Sequence, residues 1–145
     1  MAVYTIGFTK KSAAEFFGAL KRAGVKRLLD VRLSNSSQLA GFTKKEDLAY
    51  FLQEILGADY KHEPLLAPTR ELLDRYKKQR GSWRDYEVAF LELMKQRAIE
   101  SRLDRSLFGG PTVLLCSEPT AERCHRRLVL EYLRDHWGDL EIVHL

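Results

Sequence analysis

A chain of 145 residues and 16.8 kDa has about the length of one typical domain, so a single compact unit is expected over residues 1–145. With 45% hydrophobic and 30% charged residues it has the apolar material for a core, which excludes disorder; its longest apolar runs, such as Val113 to Cys116, fall far short of the roughly 20 residues that span a bilayer. The net charge of +4 is spread along the chain, so it permits an anionic partner without forming a nucleic-acid-binding tail.

Residues 2 to 7 carry Val3, Tyr4, Thr5 and Ile6 ahead of Gly7 and predict a strand. With no charged n-region and no apolar h-region here, a secretory leader is not expected and a cytoplasmic location is. Ser12-Ala13-Ala14-Glu15 is a capping box opening a helix that Gly24 closes. Val25 to Val31 predicts a second strand ending in Asp30-Val31-Arg32, followed by a polar loop through Ser37. Thr43-Lys44-Lys45-Glu46 reads as another capping box, with Leu48, Phe51, Leu52, Ile55 and Leu56 at helical spacing up to Gly57.

Asp59 to Glu63 predicts a short strand, and Leu72, Leu73 and Tyr76 a short helix after Pro68. Tyr86, Ala89, Phe90, Leu93 and Met94 mark an amphipathic helix from Trp83 to about Leu103, its aromatic residues reading as core or interface rather than as a base-stacking platform. Thr112 to Cys116 shows no polar alternation, as in a central strand covered on both faces. A helix is then expected from Pro119 to Gly138, and a last strand from Glu141 to Leu145. This alternation predicts a Rossmann-like three-layer α/β domain with a mostly parallel sheet of about five strands.

Ligands of open α/β sheets bind beyond the carboxyl ends of the strands. The polar residues crowd those ends: Thr9 after the first strand, Asp30 and Arg32 after the second, and Cys116, Ser117 and Glu118 after the apolar one. The densest cluster runs on to Arg123, Cys124, His125 and Arg126. A helix start there would attract an anion or a thiolate, and Arg123 and Arg126, one helical turn apart, could grip a phosphate or carboxylate. Tyr60 and His62 read as packing and surface residues rather than site residues.

Counting excludes other motifs. A phosphatase loop needs arginine after a cysteine and five intervening residues, but that offset from Cys116 gives Glu122 and from Cys124 gives Leu130. Cys116, Cys124 and His125 are too few and wrongly spaced for a structural zinc site, so no metal is expected. No cofactor is expected either, since neither dinucleotide nor P-loop fingerprint is present. Two cysteines in a chain with its own core indicate reduced thiols rather than a disulfide scaffold.

Thr5-Ile6-Gly7, Asp30-Val31-Arg32 with Ser37, and Cys116-x-Glu118 followed by Cys124-His125-Arg126 resemble the signature of domain-of-unknown-function family 488. The resemblance spans nearly the whole chain and implies an α/β cytoplasmic prokaryotic protein whose activity it does not define. It implies a site of Asp30, Arg32, Ser37, Cys116, Glu118, Cys124, His125 and Arg126. Members often carry His-Ser where this chain has Phe8-Thr9, a proline where it has Asn35, and Gly-Gly where it has Leu66-Ala67.

The sequence thus predicts an enzyme or enzyme-like domain binding a phosphate-bearing or other anionic ligand. Cys124 or Cys116 is the nucleophile, Glu118 or His125 the proton carrier, and Arg32 with Arg126 the anion clamp, with Thr9, Asp30 and Ser37 as further ligand contacts. The alternatives are a nucleic-acid-associated module, from pairs such as Lys10-Lys11 and Lys44-Lys45, and a regulatory domain with a worn site.

Overall fold

A computed structural model describes residues 2–34, 41–118 and 121–145. In chain order the elements are β1 (Ala2–Gly7), α1 (Ala13–Arg22), β2 (Arg27–Asp30), α2 (Lys45–Leu56), β3 (Asp59–His62), α3 (Arg70–Lys77), α4 (Trp83–Arg97), α5 (Ile99–Arg102), β4 (Thr112–Cys116), α6 (His125–Trp137) and β5 (Glu141–His144). The five strands form one parallel sheet in the order β3-β2-β4-β1-β5. The apolar Thr112–Cys116 strand is its centre, and all five of its residues are buried.

Successive strand residues point to opposite faces. Val113 and Leu115 join Leu28, Phe16, Phe17, Leu20 and Leu52 in a core under α1 and α2. Leu114 and Cys116 join Leu29, Phe90, Met94, Leu130 and Leu133 under α4 and α6. Helices therefore cover both faces, as a three-layer α/β domain requires. Each fully buried Leu or Phe contributes roughly 1.5–3 kcal/mol of apolar burial.

Local sequence sets most element ends. Ser12 accepts from the Glu15 amide at 3.1 Å while Glu15 accepts from the Ser12 amide at 3.0 Å, completing the expected capping box. The box expected at Thr43 does not form: Thr43 is buried in a 3-10 turn, and α2 starts at Lys45 with no side-chain cap. The expected helix from Trp83 to Leu103 is broken at Ala98, whose left-handed φ of 50° separates α4 from α5. The last helix begins at His125, not directly after Pro119.

The register positions the site. Cys116 pairs with Gly7, Leu115 with Asp30, and Asp30 with His62, so the carboxyl ends of four strands lie level. The chain leaves β2 toward α2 on one face and β4 toward α6 on the other, and a crevice opens where neighbouring connections diverge. Gly7 lets the loops after β1 and β4 touch: a Cβ there would lie 1.5 Å from the Glu118 carbonyl oxygen. The Thr9 amide and hydroxyl both donate to the Ser117 carbonyl, fixing that contact.

Candidate active site

The floor of the crevice is sulfur over a buried guanidinium. Cys116 ends β4, Cys124 is the N-cap of α6, and their Sγ atoms meet. The structure joins them as a disulfide, which departs from the reduced thiols expected from the sequence; their Cα atoms are 7.7 Å apart, wider than the roughly 4.4–6.8 Å usual for such a bond, and on reduction the pair becomes two juxtaposed thiols. Arg126, wholly buried, donates through Nη1 to Cys116 Sγ at 2.9 Å and to the Glu118 carbonyl at 2.7 Å. Its Nε and Nη2 have no partner among the described residues. Burial pulls its pKa down to about 10, against an upward pull from Glu118, so it is still a cation at neutral pH. A positive charge in contact with a buried sulfur favours the thiolate.

His125 supplies a neutral imidazole. Burial lowers its pKa to about 4, outweighing the upward pull of its bond to Val31. Its Nε2 lies 2.7 Å from the Val31 carbonyl, which only accepts, so Nε2 carries the proton and Nδ1 is a bare acceptor. Nδ1 faces Cys124 Sγ at 4.0 Å. Adjacent helical side chains diverge by about 100°, which would separate the two residues. Cys124 escapes that rule because it is extended, with φ −139° and ψ 140°.

Asp30 and Arg32 form a brace beside this floor. Asp30 is fully buried and receives the Arg32 Nε at 2.8 Å, Nη2 at 2.7 Å and backbone amide at 3.1 Å, with the Tyr60 hydroxyl at 2.5 Å. Arg32 also donates to the Thr43 carbonyl, stacks over Phe8, and has its own carbonyl held by His62 Nε2 at 2.9 Å. Tyr60 and His62, read from sequence as packing, are thus hydrogen-bonded to the brace.

Above the floor lies a cavity of about 220 Å³. Cys116, Cys124, His125, Arg32 and Glu118 all line it, so the structure brings these sequence candidates together. Asp30 and Arg126 stand behind the wall, Thr9 secures the loop, and Ser37 lies outside the described residues. Arg126 does not share a helical turn with Arg123: the latter precedes α6 and is exposed at the rim, the former is buried beneath the thiols. Glu118 pairs with Lys77 at 2.6 Å.

Sequence reasoning missed the opposite wall. Tyr76, Trp83 and Tyr86 from α3 and α4 line the cavity, with Arg70 and Lys77 beside them. The spacing of Trp83 and Tyr86 was visible, but packing one helix against another that supplies Tyr76 leaves no local signal. Burial raises the Tyr86 hydroxyl well above the usual tyrosine range, so it is protonated at the cavity wall.

A family model described as Domain of unknown function DUF488 matches residues 12–133. The chain belongs to this family. No match emerged among curated proteins or among solved structures. In this DUF488 chain the departures noted from the sequence have structural consequences. Phe8 is buried, lines the cavity and packs on Arg32, bringing an apolar ring to the end of β1. Leu66 and Ala67 are buried, and the Ala67 carbonyl accepts from Arg97 of α4 at 2.7 Å. Among the described residues no helix is long and apolar enough to cross a membrane.

Proposed function

We propose that this DUF488 chain is a thiol-dependent enzyme that binds a small anionic ligand beyond the carboxyl ends of β2 and β4. One observation carries the reading: two cysteine sulfurs meet on the floor of a cavity, where reduction frees two thiols, and one of them accepts from a buried arginine. In the reduced pair, negative charge is favoured on Cys116, whose sulfur is in contact with the Arg126 guanidinium. Cys124 is placed to keep its proton, with its sulfur facing His125 Nδ1 at 4.0 Å. Cys116 is then the nucleophile, attacking an electrophilic centre of the ligand, while Cys124 and His125 hold the proton that the leaving group takes up.

Charge at the cavity supports an anion. Lys77 is balanced by Glu118 and Arg32 by Asp30. Arg70 and Arg123 add two cations without a hydrogen-bonding or ion-pairing partner among the described residues. The test is alkylation of the reduced protein by iodoacetamide across pH, mapped by peptide mass, with and without inorganic phosphate. Cys116 should react with a midpoint below pH 7 and be slowed by phosphate, whereas an ordinary thiol titrates near roughly 8.5. A midpoint at or above that value, or no effect of phosphate, overturns the reading.

A further inference from the structure

The residues that face the thiols are more than a passive wall. Trp83 stacks on Tyr86 at 5.2 Å and 24°, and Tyr76 packs on both, at 5.7 Å from Trp83 and 5.0 Å from Tyr86. The stack continues from Tyr86 to Phe90 at 6.0 Å and from Phe90 to His125 at 5.4 Å. A line of rings thus runs toward the imidazole at the floor. Trp83 and Tyr76 are only partly buried where they line the cavity, and Phe8 adds a further ring from the β1 loop. Large aromatic faces left partly open inside a concave site gain by stacking on a planar guest.

The cations lie on the same cavity. Arg70 opens α3 and Arg123 lies in the β4–α6 loop, both exposed and neither partnered among the described residues. Two guanidinium groups match a phosphate, which carries nearly two charges at neutral pH, better than a single carboxylate. A bare inorganic anion would leave the aromatic wall uncovered. At about 220 Å³ the cavity encloses one ring and part of its substituent, below the roughly 300–1,000 Å³ of a fully enclosing site, which leaves a phosphate at the rim where the exposed Arg70 and Arg123 lie.

We infer that the ligand of this cavity is a planar aromatic ring joined to a phosphate, as in a mononucleotide, with the ring on the Trp83–Tyr76 wall and the phosphate held by Arg70 and Arg123. This deepens the proposed function, resting on it for the location of the site but not for the chemistry of the thiols.

Calorimetric titration of the intact chain with thymidine 5′-monophosphate, thymidine and ribose 5-phosphate tests it. Base stacking on an aromatic side chain changes affinity by roughly 5- to 150-fold, so ribose 5-phosphate should bind weaker than the nucleotide by that factor. Trp83→Ala should reduce nucleotide affinity to the level of ribose 5-phosphate and leave ribose 5-phosphate unchanged. Trp83→Phe, which keeps a ring in place, should stay within about threefold of wild type. Arg70→Gln with Arg123→Gln should abolish the advantage of the nucleotide over thymidine.

Equal affinity for nucleotide and ribose 5-phosphate, or absence of binding by every probe, overturns the inference. If phosphate still slows Cys116 alkylation in that case, the proposed function stands without it. Nucleotide binding that depends on Trp83, together with unreactive thiols, would keep the inference and remove the catalytic reading. A 5′-phosphorylated oligothymidylate that binds more tightly than the mononucleotide, with steep salt dependence, would identify a strand end as the source of the ring and phosphate.

Discussion

Replacing Gly7 by alanine should disable the site from a position more than 100 residues away from either cysteine in sequence. The added Cβ would stand 1.5 Å from the Glu118 carbonyl oxygen and 2.6 Å from its carbon, whereas real Cβ atoms essentially never come closer than 3.0 Å. The carbonyl must therefore retreat by about 1.5 Å, which takes it out of reach of Arg126 Nη1, now at 2.7 Å. A hydrogen bond to a charged group contributes about 1.5–3 kcal/mol, and Arg126 already has two unpaired nitrogens, so no other described group takes over. With the steric cost included, Gly7→Ala should lose about 2–4 kcal/mol in urea unfolding followed by far-UV circular dichroism. Its Tm should drop on the order of 10 °C. A change below about 0.5 kcal/mol would refute the claim that the β1 and β4 loops are locked by backbone contact over Gly7.

The remaining predictions concern the brace, the imidazole and the exposed ion pair. Asp30→Asn removes the charge that faces Arg32 Nε and Nη2 inside the protein and should cost about 3–5 kcal/mol in the same unfolding assay; a loss under about 1 kcal/mol would show that Arg32 has another partner. His125 has a folded pKa of about 4 against 6.5 ordinarily, so the unfolded chain takes up the proton first as pH falls. The stability this provides is complete above about pH 6.5 and is lost toward pH 4. Wild type should lose on the order of 3 kcal/mol more than His125→Gln across that window, and parallel pH profiles would contradict the neutral imidazole. Lys77→Met should change stability by less than about 1 kcal/mol, because the Lys77–Glu118 pair is largely solvated; a greater loss would mean it closes the cavity structurally.

The fold was legible because local and global signals agree along most of the chain. Ser12 with Glu15, the unbroken apolar run from Val113 to Cys116, and Gly57 at a left-handed φ of 64° each mark an element end or a central strand in plain residue chemistry. Local reasoning failed where tertiary demands intervened. Thr43 looked like a cap, but its carbonyl accepts from Arg32 and its side chain is buried. Ala98 carries no breaker signal, yet its positive φ ends α4. The helix after β4 starts six residues past Pro119, which separates Arg123 at the rim from Arg126 under the floor.

The candidate site was legible as a set of residues and illegible as a geometry. That Cys116, Glu118, Cys124, His125 and Arg32 share one cavity follows from strand register, which residue types suggest only through fold class. That Arg126 underlies a thiol instead of gripping a ligand depends on which way a helix face turns. The aromatic wall required α3 and α4 to pack side by side, a long-range event with no trace in the spacing of Tyr76 from Trp83.

The central claim is that Arg126 holds a thiolate at Cys116 in front of an anion-binding cavity. The pH midpoint of Cys116 alkylation, compared between the reduced Cys124→Ser protein and the same protein with Arg126→Met, tests it most directly. Removing an opposite charge at contact distance should raise the midpoint by roughly 1–3 pH units, from below 7 toward the ordinary thiol value. A midpoint that is the same in both proteins, each shown to be folded by circular dichroism, would contradict the account.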